Sequence, residues 1–197
     1  MKKHIIFLSF LILATNFLYS QNKIDLQKLP QCRSGYVQLT FDGGFLQPLG
    51  IMGDRYYPSG NGGFDFAVRV NTEIALFTEG RYNFLINAAP NSPDAGWGEW
   101  TVGPRYYFVS KYVKSIFFWE AATGMYLKHE SSYIDQNDVT IDGKTEIHMG
   151  ANGGVGAELY LTDAVYFTVK AKYNTIFGTG GSNNFLSGYG GLTFKFK

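Results

Sequence analysis

The chain has 197 residues, a formal net charge of +1, and 17% charged against 45% hydrophobic residues. That length allows one domain, and the near-neutral balance gives no reason to expect a nucleic-acid or acidic partner. A single cysteine, Cys32, excludes an internal disulfide, and its place well past the first apolar run argues against a lipid anchor. The 24 glycines, 17 Phe and 14 Tyr suit many strands joined by glycine-bearing turns.

The N-terminus reads as a processing signal. Lys2, Lys3 and His4 precede an apolar run from Ile5 to Ala14, and polar residues begin near Ser20-Gln21. The run falls short of the roughly 20 residues a spanning helix needs. A cleaved signal peptide over 1–20 and a flexible tail over 21–34 are therefore expected, followed by one β domain over 35–197.

From Gly35 onward a period of two takes over. Val37, Leu39 and Phe41 alternate with Gln38, Thr40 and Asp42. Phe64, Phe66 and Val68 alternate with Asp65, Ala67 and Arg69. Ile74, Leu76, Tyr82 and Phe84 form the apolar set of a third strand, with Glu79, Arg81 and Asn83 between them. Trp100, Val102, Pro104, Tyr106 and Phe108 alternate with Glu99, Thr101, Arg105 and Tyr107. Pro104 donates nothing to a ladder, so it is expected at a bulge or a strand end. Phe117, Trp119 and Leu127 alternate with Glu120, Tyr126 and Lys128, and Met149, Val155 and Leu159 with His148, Asn152 and Glu158. In "AVYFTVKAKYNTIFG" (164–178), Val165, Phe167, Val169, Ala171 and Tyr173 lie opposite Tyr166, Thr168, Lys170, Lys172 and Asn174. Leu192, Phe194 and Phe196 close the series, giving eight strands.

Short connections at 71–72, 110–112 and 162–163 alternate with longer ones at 46–62, 88–97, 129–145 and 178–184. An up-and-down barrel that crosses a membrane has this asymmetry, with long loops outside. The polar faces carry six acids (Asp42, Asp65, Glu79, Glu99, Glu120, Glu158) and six bases (Arg69, Arg81, Arg105, Lys128, Lys170, Lys172). Enclosed in a narrow barrel, charges must nearly cancel, because a buried unpaired ion costs several kcal/mol. The acids and bases are therefore predicted to form a network in the lumen. Phe64, Phe66, Val68, Trp100, Trp119, Val165, Phe167, Val169, Phe194 and Phe196 are predicted to face lipid. Tyr106, Tyr107, Phe108 and Tyr112 on one side, and Trp97 and Trp100 on the other, are expected at the membrane interfaces. Gly124, Gly154, Gly156 and Gly190 are expected to face inward and make room for large side chains. An eight-stranded interior is only wide enough to be filled by side chains, so the lumen is predicted to be plugged.

The chain resembles the OmpA/OmpX-type eight-stranded outer-membrane β-barrel family of Gram-negative bacteria. The resemblance is carried by the signal peptide, "GYVQLTFDGGF" (35–45), "GNGGFDFAVRVNTEIALFTEGRYNF" (60–84) and "GYGGLTFKFK" (188–197), and covers 35–197. It implies an all-β, eight-stranded antiparallel transmembrane barrel in the outer membrane. It also implies contact with outer-membrane lipids and with the assembly machinery that reads a terminal aromatic. Here Phe196 precedes a final Lys197.

No catalytic or cofactor motif fits. "GKT" (143–145) has Asp138 where a phosphate loop needs glycine. "DQNDVTIDG" (135–143) has Val139 at a ligand position of a calcium loop. His129 and His148 flank one loop and lack a third ligand for zinc. The barrel is therefore expected to be structural or interactive, not an enzyme, with no cofactor or metal and with 46–62 and 129–145 as contact regions. Two alternatives stand beside this. One is a secreted lipocalin-like carrier with its faces reversed. The other is a lipid A-modifying hydrolase using His129, Ser131 and Glu146.

Overall fold

The computed structural model describes residues 35–88, 95–109, 115–134, 140–178 and 181–196. The expected signal peptide and tail lie outside these residues, as do Cys32 and Tyr112. Eight long strands form: β1 Val37–Leu49, β2 Ser59–Arg69, β3 Ile74–Asn87, β4 Ala95–Phe108, β5 Ile116–Glu130, β6 Thr145–Tyr160, β7 Val165–Gly178 and β8 Gly181–Phe196. Each pairs antiparallel with the next, and β1 pairs with β8, so the sheet closes. Closure removes the free edges that no lipid-exposed sheet tolerates.

The stagger follows from the registers. Leu39 lies opposite Phe66, then Thr78, Val102, Thr123, Ala151, Thr175 and Asn184 in turn, and Asn184 returns to Leu49. One circuit thus shifts the chain ten positions along β1. With ordinary strand spacings this tilts the strands by about 40° from the axis.

Pro104 marks neither a bulge nor a strand end. It sits opposite Leu76 within β4, and Val102–Thr123 and Arg105–Glu120 share one register with β5. Only Gly103 and Pro104 drop out of the ladder to β5, as the missing proline N–H requires.

The connections are more ordered than the sequence implied. Strands β1 and β2 consume both ends of 46–62, and a short helix α1, Ile51–Arg55, lies between them. Tyr56–Tyr57 then pairs with Ile86 and Asn87 of β3. Within 129–145, Tyr133–Ile134 pairs with Thr140–Ile141 as a small hairpin. The expected long loop 178–184 is not one, because β7 and β8 stay paired until Gly178 meets Gly181. Polar residues extend that hairpin without needing lipid contact, so the strict long-short alternation fails there. At the other end the turns after β2 and β6 are tight, while seven positions, 109–115, separate β4 from β5. Asn71 Oδ1 accepts from the backbone N–H groups of Glu73 and Ile74 at 2.8 and 2.7 Å. Thr162 Oγ1 accepts from those of Ala164 and Val165.

The two faces separate cleanly. The ten side chains expected on the outside are all exposed or half-exposed. Tyr166, Thr168, Lys170, Lys172 and Asn174 of β7 are buried inside. The interior is layered, however, and not uniformly polar. An apolar cluster of Leu46, Leu85, Trp97, Ile176 and Phe185, joined by Met52 of α1, fills the end with the longer connections. A second, including Phe77, Tyr107, Ile116 and Phe118, fills the short-turn end. Trp97 and Tyr107 are therefore interior residues and not interface aromatics, since each sits at an inward position of β4.

Candidate functional site

Between the two apolar layers lies a network of ion pairs. Arg105 of β4 reaches Asp65 of β2 at 2.7 Å and Glu120 of β5 at 2.6 Å. Lys172 of β7 joins Glu120 and Glu79, each at 2.8 Å. Lys170 joins Glu79 at 3.3 Å and Asp65 at 2.9 Å. These contacts form a closed ring: Asp65, Arg105, Glu120, Lys172, Glu79, Lys170 and back to Asp65. A second ring shares its Glu79–Lys170 side and runs through Arg81 and Asp42, with Arg81 2.7 Å from Asp42 and Lys170 2.8 Å from it.

The ring arises from the strand period. Inward positions on β1, β2, β3, β4, β5 and β7 converge at one height because the tilt brings distant sequence positions level. Acids and bases alternate around it, so each cation is shared by carboxylates on different strands. Charges held this deep need such sharing, because desolvation outweighs a single imperfect pair. Room is made by glycine. A side chain at Gly154 would meet Lys172 Cγ at 2.7 Å, and one at Gly156 would run into the Phe118 ring. Gly124 instead lets β4 and β5 approach, its absent Cβ lying 2.7 Å from Thr101 Cα. Gly190 faces outward, since Phe185, Ser187, Tyr189 and Thr193 occupy the inward register of β8.

The remaining predicted members sit apart. Glu158 pairs with Lys195 at 2.5 Å near the short-turn end and lies 3.1 Å from Tyr107 Oη. Arg69 stacks over the Tyr107 ring at 3.8 Å and donates to the Thr72 carbonyl at 2.8 Å. Glu99 accepts from the amides of Asn83 and Asn152 and from Tyr126 Oη, all neutral donors. Lys128 does not join the network; it is partly exposed at the rim and pairs with Glu130. Lys195 takes its place among the buried bases, so the interior holds Arg69, Arg81, Arg105, Lys170, Lys172 and Lys195 against the six acids. The alternation of β8 contained that signal, because Lys195 lies between Phe194 and Phe196.

The suggested catalytic trio is not assembled. His129 points outward and shares a 3.1 Å hydrogen bond with Thr145 Oγ1. The Glu146 carboxylate is taken by Lys144 at 2.5 Å and His148 at 3.3 Å. His148 lies on the inward face of β6, its ring 5.5 Å from that of Trp97 and tilted 55° to it, so the two histidines occupy opposite faces of the wall. Among the described residues no three His, Cys, Asp or Glu side chains gather as a metal site.

Solved structures share this architecture. The N-terminal β-barrel domain of Pseudomonas aeruginosa OprF aligns over 83% of this chain and 98% of its own, with a TM-score of 0.55 and 12% identity. Neisserial surface protein A aligns over 82% and 96%, with a TM-score of 0.54 and 21% identity. Pseudomonas aeruginosa OprG aligns over 84% and 98%, at 0.51 and 13%. No family model matches the sequence, and no curated protein does. The fold is that of the OmpA/OmpX-type eight-stranded outer-membrane barrels.

Proposed function

We propose that this chain is an integral barrel of the outer membrane of a Gram-negative bacterium, with a structural or surface-interaction role and no catalysis. The observation that carries the reading is the separation of faces: a belt of large apolar side chains outside, and a cross-linked charged layer inside. An exposed apolar surface of this extent needs a non-aqueous neighbour, and a lipid bilayer supplies one. A carrier would need an open apolar interior and a polar exterior, the reverse of this arrangement. The charged layer and its two apolar caps act as a plug, so the barrel strengthens the membrane without conducting steadily. The outward connections, 46–62 and 129–145, present the surface that contacts solutes, surfaces or host molecules. Export proceeds through the signal peptide at 1–20, and the outer-membrane assembly machinery inserts the 35–197 domain.

The test is fractionation of a Gram-negative host that expresses the chain. The protein is expected in the outer-membrane pellet after a urea wash, with a band that shifts on boiling. A soluble, unshifted protein would overturn the reading. The absence of catalysis is tested with Ser131→Ala, which leaves lipid A acylation unchanged in cells.

A further inference from the structure

The outward wall from β2 to β6 is not smooth. A groove of about 580 Å³ is cut into it, floored by Gly62, Gly80 and Gly98. Its sides are Phe64, Tyr82, Trp100, Met125, Leu127 and Ile147. Gly80 is roofed by its neighbours, since a Cβ there would lie 2.9 Å from Phe64 Cζ and 3.3 Å from Trp100 Cε3. Gly62 and Gly98 are different. A Cβ at either would meet nothing nearer than 3.8 and 3.6 Å, and neither backbone is in the left-handed region. The other glycines of the barrel are of both kinds: a Cβ at Gly103 would lie 2.7 Å from Ala122 Cα and one at Gly63 2.9 Å from Arg81 Cα, whereas one at Gly153 or Gly190 would meet nothing nearer than 3.8 and 3.5 Å. A strand-interior glycine that the backbone does not need weakens its strand and commonly marks the close approach of something else.

We infer that this groove seats one acyl chain of an outer-leaflet lipid. The inference rests on the outer-membrane reading. The groove is continuous with the apolar belt, so its occupant arrives from the bilayer. It lies toward the ends of β2 and β4 that carry the longer connections, the side that faces outward in such barrels. Its walls present rings and aliphatic side chains; Arg81 and Glu99 also border it, but their charged heads turn into the lumen, onto Asp42 and Glu79 and onto Asn83, Asn152 and Tyr126. Such a channel takes a flexible methylene chain by apolar contact. The aromatic rings supply flat, stiff contact area along it.

The experiment uses the full mature chain folded into vesicles of phosphatidylethanolamine and phosphatidylglycerol. A trace phospholipid carries a diazirine on one acyl chain, and adducts are mapped by mass spectrometry after irradiation. Heat-shifted migration of the vesicle-bound protein is measured first. Adducts are expected to concentrate on Trp100, Met125, Leu127 and Ile147 relative to Phe41 and Leu192, which are exposed on the belt and line neither this groove nor a second one of about 500 Å³ beside Val155 and Val169. Gly62→Leu with Gly98→Leu, for both of which the first carbon has room, is expected to abolish that enrichment. Gly190→Leu, outside the groove and with similar room, is expected to preserve it. Adducts spread evenly around the belt in the wild-type protein would overturn the inference while leaving the membrane reading intact. So would chain-to-chain products joined through the groove. Protein that never enters the vesicles would overturn both.

Discussion

Lys172 Nζ lies 2.8 Å from Glu79 Oε1, although the two residues belong to strands β7 and β3, which stand opposite each other in the wall. The contact spans the lumen and ties together strands that share no hydrogen-bonded ladder. Glu79 also receives Arg81 at 3.0 Å and Lys170 at 3.3 Å. Glu79→Gln leaves three buried cations with one carboxylate fewer. The expected loss in unfolding free energy is about 3–5 kcal/mol, read by denaturant titration in micelles. Adding Lys172→Met to that variant recovers part of the loss, because neither partner is then buried without the other.

Tyr107 organises the short-turn end. Its hydroxyl donates to Gln38 Oε1 at 2.6 Å and lies 3.1 Å from Glu158, while Arg69 stacks on its ring. Tyr107→Phe keeps the ring and deletes the hydroxyl. Stability is expected to fall by about 1–3 kcal/mol, the cost of leaving buried polar groups without a partner.

Met52 closes the other end. It is 2% exposed and packs with Trp97 in the upper apolar layer. Met52→Asp places a charge in that layer and expels α1 from the mouth. Acrylamide quenching of tryptophan fluorescence is expected to rise, and Trp97→Phe in the same background abolishes the rise.

The cost of charge on the outer face depends on depth. Val169 lies mid-strand in β7, whereas Ile86 lies near the end of β3. Val169→Arg is expected to destabilise by about 2–4 kcal/mol and Ile86→Arg by about 0–1, the depth profile of arginine in a bilayer. Equal costs at the two sites would contradict the lipid-facing assignment.

The plug predicts electrical silence. In planar bilayers the wild-type protein is expected to give no large, stable openings. Removing three members of the ring together, as Glu79→Ala, Lys172→Ala and Arg105→Ala, vacates the middle layer and is expected to raise the frequency of openings.

The strand faces were legible because a period of two needs no knowledge of neighbours: Phe167 and Lys170 declare opposite sides from their positions alone. Height along the axis was not legible. Alternation assigns Tyr107 to the inside or outside only through register, and it does not say that Leu85, Ile176 and Phe185 meet in one apolar layer. That layer depends on the stagger of ten positions, which emerges only when β8 pairs with β1. The same holds for the rings, since Asp65 and Lys170 are brought level by tilt. Lys195 and Lys128 exchanged roles for a related reason: both lie on inward positions, but only Lys195 falls below the rim. Strand ends were hidden too, because 181–184 pairs with 175–178 through Gly, Ser and Asn residues that carry no hydrophobic signal.

The central claim is that the odd positions of β7 meet lipid and the even ones face a dry interior. It is tested most directly by nitroxide labels placed singly at 165, 166, 167, 168, 169, 171 and 173 in a Cys32→Ser background in vesicles. The account predicts strong collision with oxygen at the odd positions, weak collision at 166 and 168, and little access to a water-soluble relaxant at any of them. Oxygen access that peaks at 166 and 168, with the odd positions shielded, would contradict it.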